Sequence, residues 1–330
     1  MKNKIACLLA LLSASFLVAC GTKTASNSTE EDTSSSTDTE NTDDSTSTDD
    51  EVSTLNEVDL DYDSFASSYG EFSLMCGDEE IEGVDGVYTI NVASSKLTYT
   101  ASGYLEGRIV VANGNSVSSY KGVTLELSNA FIVNDDEPSI DYTLEDKNIE
   151  IVTVSSTTNY IVNTSSTNDD GQAINSLNNV EMVLNSESDL YLYTVHGHTI
   201  KADGDVKITG SGSVYLSSGH DGVHCHNFTT YNNGSFSGYF EISNAISQGI
   251  EASTSSGSGT LKITGGTFVI RNCESVFKVD KTITISGGKV TATGIWSDPF
   301  VRGSDGTLTI TISDSASVTV NGESVGSQQI

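Results

Sequence analysis

The chain has 330 residues, with 45 Asp and Glu against 15 Lys and Arg, for a net charge of −30. That balance argues against a nucleic-acid partner, since a polyanion is held by clustered Lys and Arg. The 5 cysteines show no spacing that resembles a zinc knuckle.

In chain order, residues 1–20 read as a targeting segment. Met1-Lys2-Asn3-Lys4 is a basic start, residues 5–18 are apolar but too short to span a bilayer stably, and Leu17-Val18-Ala19-Cys20 closes the segment. Leu17-Val18-Ala19-Cys20 resembles a bacterial lipobox, which implies cleavage before Cys20 and lipidation of its thiol. The expectation is a membrane-anchored lipoprotein on the extracellular face, since two or three acyl chains hold where one does not.

Residues 21–56 are Ser, Thr, Asp, Glu and Asn with almost nothing apolar, and read as a disordered, self-repelling acidic linker. The acids are concentrated there. Residues 21–80 hold eighteen of them with only Lys23 as a base, whereas residues 81–330 carry twenty-seven against twelve Lys and Arg. Residues 57–83 form a poorly patterned lead-in.

From residue 84 the chain becomes short alternating runs, at 87–92, 97–100, 108–112, 123–127, 149–154, 180–184 and 190–193. Val, Ile, Thr and Tyr fill them, Gly, Asn, Asp and Ser separate them, and no amphipathic helix is apparent in 84–330. A marker phrase then returns with central apolar residues Ile174, Ile200, Val223, Ile250, Phe277 and Val301, at steps of 26, 23, 27, 27 and 24 residues. A second strand follows each marker, as in Val206-Lys207-Ile208-Thr209-Gly210, and a third follows the glycines, as in Val214-Tyr215-Leu216. This predicts an all-β fold, a right-handed single-stranded parallel β-helix with three strands per coil over 84–330. A β-sandwich is the rival, disfavoured by the repeat. Residues 227–238 are expected to protrude as a loop, and Val318-Thr319-Val320-Asn321-Gly322 to cap the end.

If the marker residues face inward, the next residues face out: Asn175, Lys201, His224, Glu251, Lys278 and Arg302, with Asp203, His226, Ser253 and Asp280 two further on. Such rows suit an extended polysaccharide, with Lys201, Lys278 and Arg302 meeting acidic groups and His224, Glu251 and Asp280 hydroxyls. They also suit a merely soluble sheet face. Cys225 falls on an inward position, as a small apolar residue.

All five histidines lie between 196 and 226. Strand positions i and i+2 permit a transition-metal site, but exposed ladder histidines are the simpler expectation. Calcium is expected instead at Asp-Gly corners, on Asp170, Asp203, Asp221 and Asp298, where carboxylates and turn carbonyls offer hard oxygen. Plain turn chemistry explains Asp-Gly equally well.

Three stretches carry a family resemblance: Val87-Tyr88-Thr89-Ile90, then Leu105-Glu106-Gly107-Arg108-Ile109-Val110-Val111, then Val123-Thr124-Leu125-Glu126-Leu127-Ser128-Asn129-Ala130. With the repeated Asp-Gly-Val/Ile and Ile-Thr-Gly-Gly phrases, they resemble the extracellular carbohydrate-binding parallel β-helix family of Gram-positive bacterial lipoproteins, with its pectate-lyase-like fold. The resemblance implies non-catalytic binding of cellulose or pectin-like acidic glycans with calcium as a possible cofactor, by a monomer. The alternatives are a calcium-dependent polysaccharide lyase, casting Lys201 and Arg302 as base and clamp, and an adhesin or spacer without glycan specificity.

Overall fold

The computed structural model describes residues 62–112, 121–145, 147–167, 171–176, 181–231 and 236–330. Cys20, the targeting segment, the acidic linker and Asp170 lie outside the described residues.

The chain winds into a parallel β-solenoid of about 8 turns with almost no helix. Its marker sheet has nine strands, all parallel: Val87–Asn91, Arg108–Ala112, Ile140–Tyr142, Ile174–Ser176, Ile200–Ala202, Val223–Cys225, Gln248–Ala252, Ser275–Val279 and Phe300–Arg302. From Ile149 onward each coil adds two more strands, such as Met182–Ser186 with Asp189–Thr194 and Val206–Gly210 with Ser213–Ser218. In the earlier coils these two are one long bent strand, Leu97–Glu106 and Val123–Asn134, kinked where the register slips between Ala101 and Gly103.

Register follows burial. Ile140, Ile174, Ile200, Val223, Ile250, Phe277 and Phe300 stack in one row, each 3% exposed or less. A one-residue slip would turn this whole row to water, so apolar burial at about 25 cal/mol per Å² holds the coils in phase. Cys225 is 1% exposed and pairs with Ala252, as its small size suggested.

The last coil differs from expectation. Phe277 pairs with Phe300, Lys278 with Val301 and Val279 with Arg302, so the inward residue is Phe300 and not Val301. A ring at 300 meets the Phe277 ring with centroids 5.9 Å apart, a contact Val301 cannot make. Arg302 is thereby shifted out of the Lys201–Lys278 row. With no further strand beyond it in the marker sheet, its guanidinium swings off the end and Nη1 donates to the Gly306 carbonyl.

Residues 227–238 are not simply a protruding loop. Asn227–Thr229 is a strand paired with both neighbouring coils, and Phe236 is buried against Phe268. Nor does residues 318–322 form the cap, since Ala316–Val320 is still a parallel coil strand. The chain closes that end by turning back. Glu323–Ser324 and Gln328–Gln329 run antiparallel along the last coil. The other end is closed by Ser73–Cys76, antiparallel to Leu97–Glu106, while a helix at Tyr62–Tyr69 within the lead-in packs its rings on Phe131 and Tyr160.

Candidate functional site

The outward row of the marker sheet is in register as expected from Asn175 to Lys278. Asp141, Asn175, Lys201, His224, Glu251 and Lys278 pair in succession, one per coil. Strands of adjacent coils lie about 4.8 Å apart, so this is a polar file along the solenoid axis. Several of its members are less exposed than their position suggested, because they bond to one another. Asn175 Nδ2 donates to Asp141 Oδ1 at 2.9 Å, and burial raises the Asp141 carboxyl while that bond lowers it. Lys278 Nζ lies 3.0 Å from Glu251 Oε1, and Glu251 is 6% exposed. Lys201 makes no ion pair with a described residue and is the free cation of the row.

Asp280 is not part of that row. It is buried at the following corner, where its Oδ2 accepts the N–H groups of Thr254 at 2.8 Å and Gly259 at 2.9 Å. Burial and two backbone donors make it a loop clamp rather than a surface hydroxyl acceptor.

The three proposed calcium carboxylates among the described residues are not brought together. Asp203 is exposed after its marker strand, whereas Asp221 and Asp298 precede theirs. Asp221 and Asp298 do share a column, but Gln248 and Ser275 separate them, a span of about 14 Å over three coils. Asp170-Gly171 is not the equivalent of Asp221-Gly222 either. Gly171 stands three residues before Ile174 and Gly222 one before Val223, and those two core residues occupy one row.

What the corner before the marker strands does assemble is a histidine cluster. Asp221 is fully buried, and three imidazole Nδ1 atoms surround its Oδ2: His198 at 3.2 Å, His224 at 3.3 Å and His220 at 3.4 Å. The His198 ring lies 4.6 Å from that of His220 and 5.0 Å from that of His224. The other oxygen, Oδ1, accepts the backbone N–H of Gln248 at 2.9 Å. With its amide nitrogen turned toward the acceptors, Gln248 also reaches Asp221 Oδ1 at 3.0 Å and Glu251 Oε2 at 3.1 Å. The expectation of simply exposed histidines is corrected: one buried carboxylate gathers three of them, with His198 largely buried and His224 and His220 part-exposed. His226 is placed apart, its Nε2 3.1 Å from Ser258 Oγ.

The electrostatics follow from this crowding. Burial opposes the Asp221 charge, yet the imidazoles of His198, His220 and His224 around it hold its carboxyl well below the usual carboxylate range. Burial lowers His198, against the pull of Asp221, and the neighbouring Asp221 carboxylate raises the more exposed His220. Gly222 permits the tight corner. A Cβ there would lie 2.6 Å from the Gly249 carbonyl oxygen on the next coil.

The surface carries a second feature. On the third strands the outward rings of Phe131, Tyr160, Tyr191 and Tyr215 stack coil upon coil, with centroids 5.1, 4.7 and 4.6 Å apart. The signal was available, since Tyr191 and Tyr215 sit mid-strand in Leu190-Tyr191-Leu192 and Val214-Tyr215-Leu216. Phe65 and Tyr69 of the lead-in helix cover the near end of this stack. Because stacked rings hide their faces, the broad exposed aromatic surfaces lie elsewhere, at Trp296 and Tyr231, which are 59% and 51% exposed.

Residues 84–328 match a family model described as carbohydrate-binding domain-containing protein, a stretch that takes in the marker sheet from its first strand to its last. Neither the curated proteins nor the solved structures include a significant match.

Proposed function

The chain belongs to the carbohydrate-binding domain family, and from that premise we propose a surface lipoprotein, anchored through Cys20, that binds acidic cell-wall polysaccharide without cleaving it. The observation that carries this reading is the in-register polar row on the marker sheet, which repeats along the axis as an extended glycan repeats along its chain. Lys201 supplies the unneutralised positive charge for a uronate carboxylate. His224 and the Glu251–Lys278 pair offer hydrogen bonds to hydroxyls on the neighbouring coils. Trp296 adds an exposed ring against which the C–H face of a sugar can lie.

Calcium, in this proposal, bridges uronate carboxylates to the exposed acids Asp203 and Asp298, because three imidazoles enclose Asp221. The non-catalytic reading is favoured by the separation of the two residues a lyase would need as base and clamp. Lys201 and Arg302 sit four coils apart, about 19 Å, and in different rows.

Retention on a polygalacturonate gel tests the assignment. Lys201→Ala should weaken retention about threefold, the size of an exposed charge contact, and Lys201→Ala with Lys278→Ala further still. Unchanged retention of the double variant removes this face from the binding account. Ultraviolet-absorbing unsaturated uronides in the eluate would replace binding with lyase chemistry.

A further inference from the structure

The corner of the marker sheet holds more nitrogen donors than its one carboxylate can use. A carboxylate oxygen has two lone pairs, yet His198, His220 and His224 all aim Nδ1 at Asp221 Oδ2. Only His224 meets it with acceptable hydrogen-bond geometry, at 3.3 Å. The Nδ1 atoms of His198 and His220 are buried and make no hydrogen bond. A buried polar atom left in this state costs free energy and calls for a reason.

We propose that His198 Nδ1, His224 Nδ1 and Asp221 Oδ2 are the ligands of a late first-row divalent transition metal, with zinc as the probe. Two imidazoles and one carboxylate form a donor set suited to zinc and unlike the all-oxygen shell that calcium takes. The spacing agrees. Zinc–ligand bonds of about 2.0–2.1 Å put neighbouring donors of a tetrahedron about 3.3–3.4 Å apart. The His198 and His224 nitrogens lie 3.2 and 3.3 Å from the Asp221 oxygen, and all three donor atoms fall within 4.8 Å of one another.

The surroundings also fit. His220 Nδ1 lies 3.4 Å from the same oxygen, and its side chain is 41% exposed, which gives the ion a way in. Asp221 is oriented by the Gln248 N–H on its other oxygen, the kind of support that ligating carboxylates have. Glu251 Oε2 lies 3.8 Å from His224 Nδ1 and adds negative charge just outside the donors. The site shares His224 with the proposed glycan row, but its test uses no glycan.

Titration calorimetry of the full chain, stripped with chelator, should show one saturable zinc site on the solenoid that a large excess of calcium does not displace. His198→Gln with His224→Gln should weaken that site by more than about tenfold, while His196→Gln with His226→Gln leaves it unchanged. Wild-type affinity in the first double variant, or displacement by calcium, overturns the proposal. Should the first variant fail to fold, nitrogen NMR of the wild type gives the answer. Zinc shifts the Nδ1 resonances of His198 and His224 and leaves those of His196 and His226 in place, and equal shifts in all four overturn it.

Discussion

Asp221 Oδ1 accepts the backbone N–H of Gln248, one coil further on, at 2.9 Å, from a side chain with no solvent exposure. This bond ties two coils together at the corner where the histidines meet. Asp221→Ala removes the only acceptor for that N–H among its described partners and leaves three imidazoles without their carboxylate. Orphaning a buried donor costs about 1–3 kcal/mol, and bonds to charged acceptors fall in the upper part of that range. Asp221→Asn keeps an oxygen for Gln248 and should lose less. Urea unfolding in the presence of chelator reads both, and equal losses would show that the Gln248 bond contributes little.

The close approach of coils at Gly222 predicts a steric effect. Gly222→Ala places a methyl 2.6 Å from the Gly249 carbonyl oxygen and 2.8 Å from Ile242 Cδ1. The backbone oxygen cannot move without shifting a coil, so a loss of about 1–3 kcal/mol is expected. Gly326→Ala, which meets open space, is the matched control and should leave the unfolding midpoint unchanged.

Alkaline pH should destabilise the fold. Burial raises the Cys273 thiol to about 12, and burial followed by the neighbouring Tyr160 and Tyr215 phenols raises Tyr191 to about 12. Burial raises Cys225 as well. Groups whose folded values lie above their unfolded ones contribute fully below the unfolded values, near 8.5 for a thiol and 10 for a phenol, and that contribution is lost as pH rises toward the folded values. The denaturant midpoint should therefore hold up to about pH 8 and fall between about pH 9 and 12. In the same experiment, Cys225 and Cys273 should resist alkylation at pH 8 until denaturant is added.

The two kinds of aromatic surface should respond oppositely. Tyr191 is held between Tyr160 and Tyr215 at 4.7 and 4.6 Å, so Tyr191→Ala opens a gap in a continuous stack and should cost about 2–4 kcal/mol. Trp296 is 59% exposed, and Trp296→Ala should change stability by less than about 0.5 kcal/mol while weakening retention on polysaccharide gels. A stability loss at Trp296 with full retention would reassign it as a packing residue.

Most of the coil was legible because one rule governs it. A buried residue every two dozen positions must stack on its counterpart, and Ile174, Ile200, Val223, Ile250 and Phe277 do so. The same rule misled at the final coil, where Val301 and Phe300 are both apolar and only ring packing on Phe277 separates them. The histidine cluster was hidden for a different reason. His198 stands two residues before its core residue, and His224 one after the next, so they meet only because the corner bends between them. Strand alternation says nothing about such bends. The shared Asp-Gly string likewise makes the corners at Asp170 and Asp221 look equivalent, although their offsets from the core row differ. The lead-in helix and the turned-back C-terminal strands are too short to carry a period, and tertiary contact defines them.

A stack of parallel coils exposes a row of unpaired amide and carbonyl groups at either terminus, and in principle a second molecule could continue the winding there. Here Glu323–Ser324 and Gln328–Gln329 reverse direction along the last turn, and Ser73–Cys76 does so along the first. Reversed polarity occupies those groups with a partner that offers no onward template. Deleting residues 321–330 should then open that terminus while Ser73–Cys76 still closes the other, so molecules should join in end-to-end pairs, visible by electron microscopy.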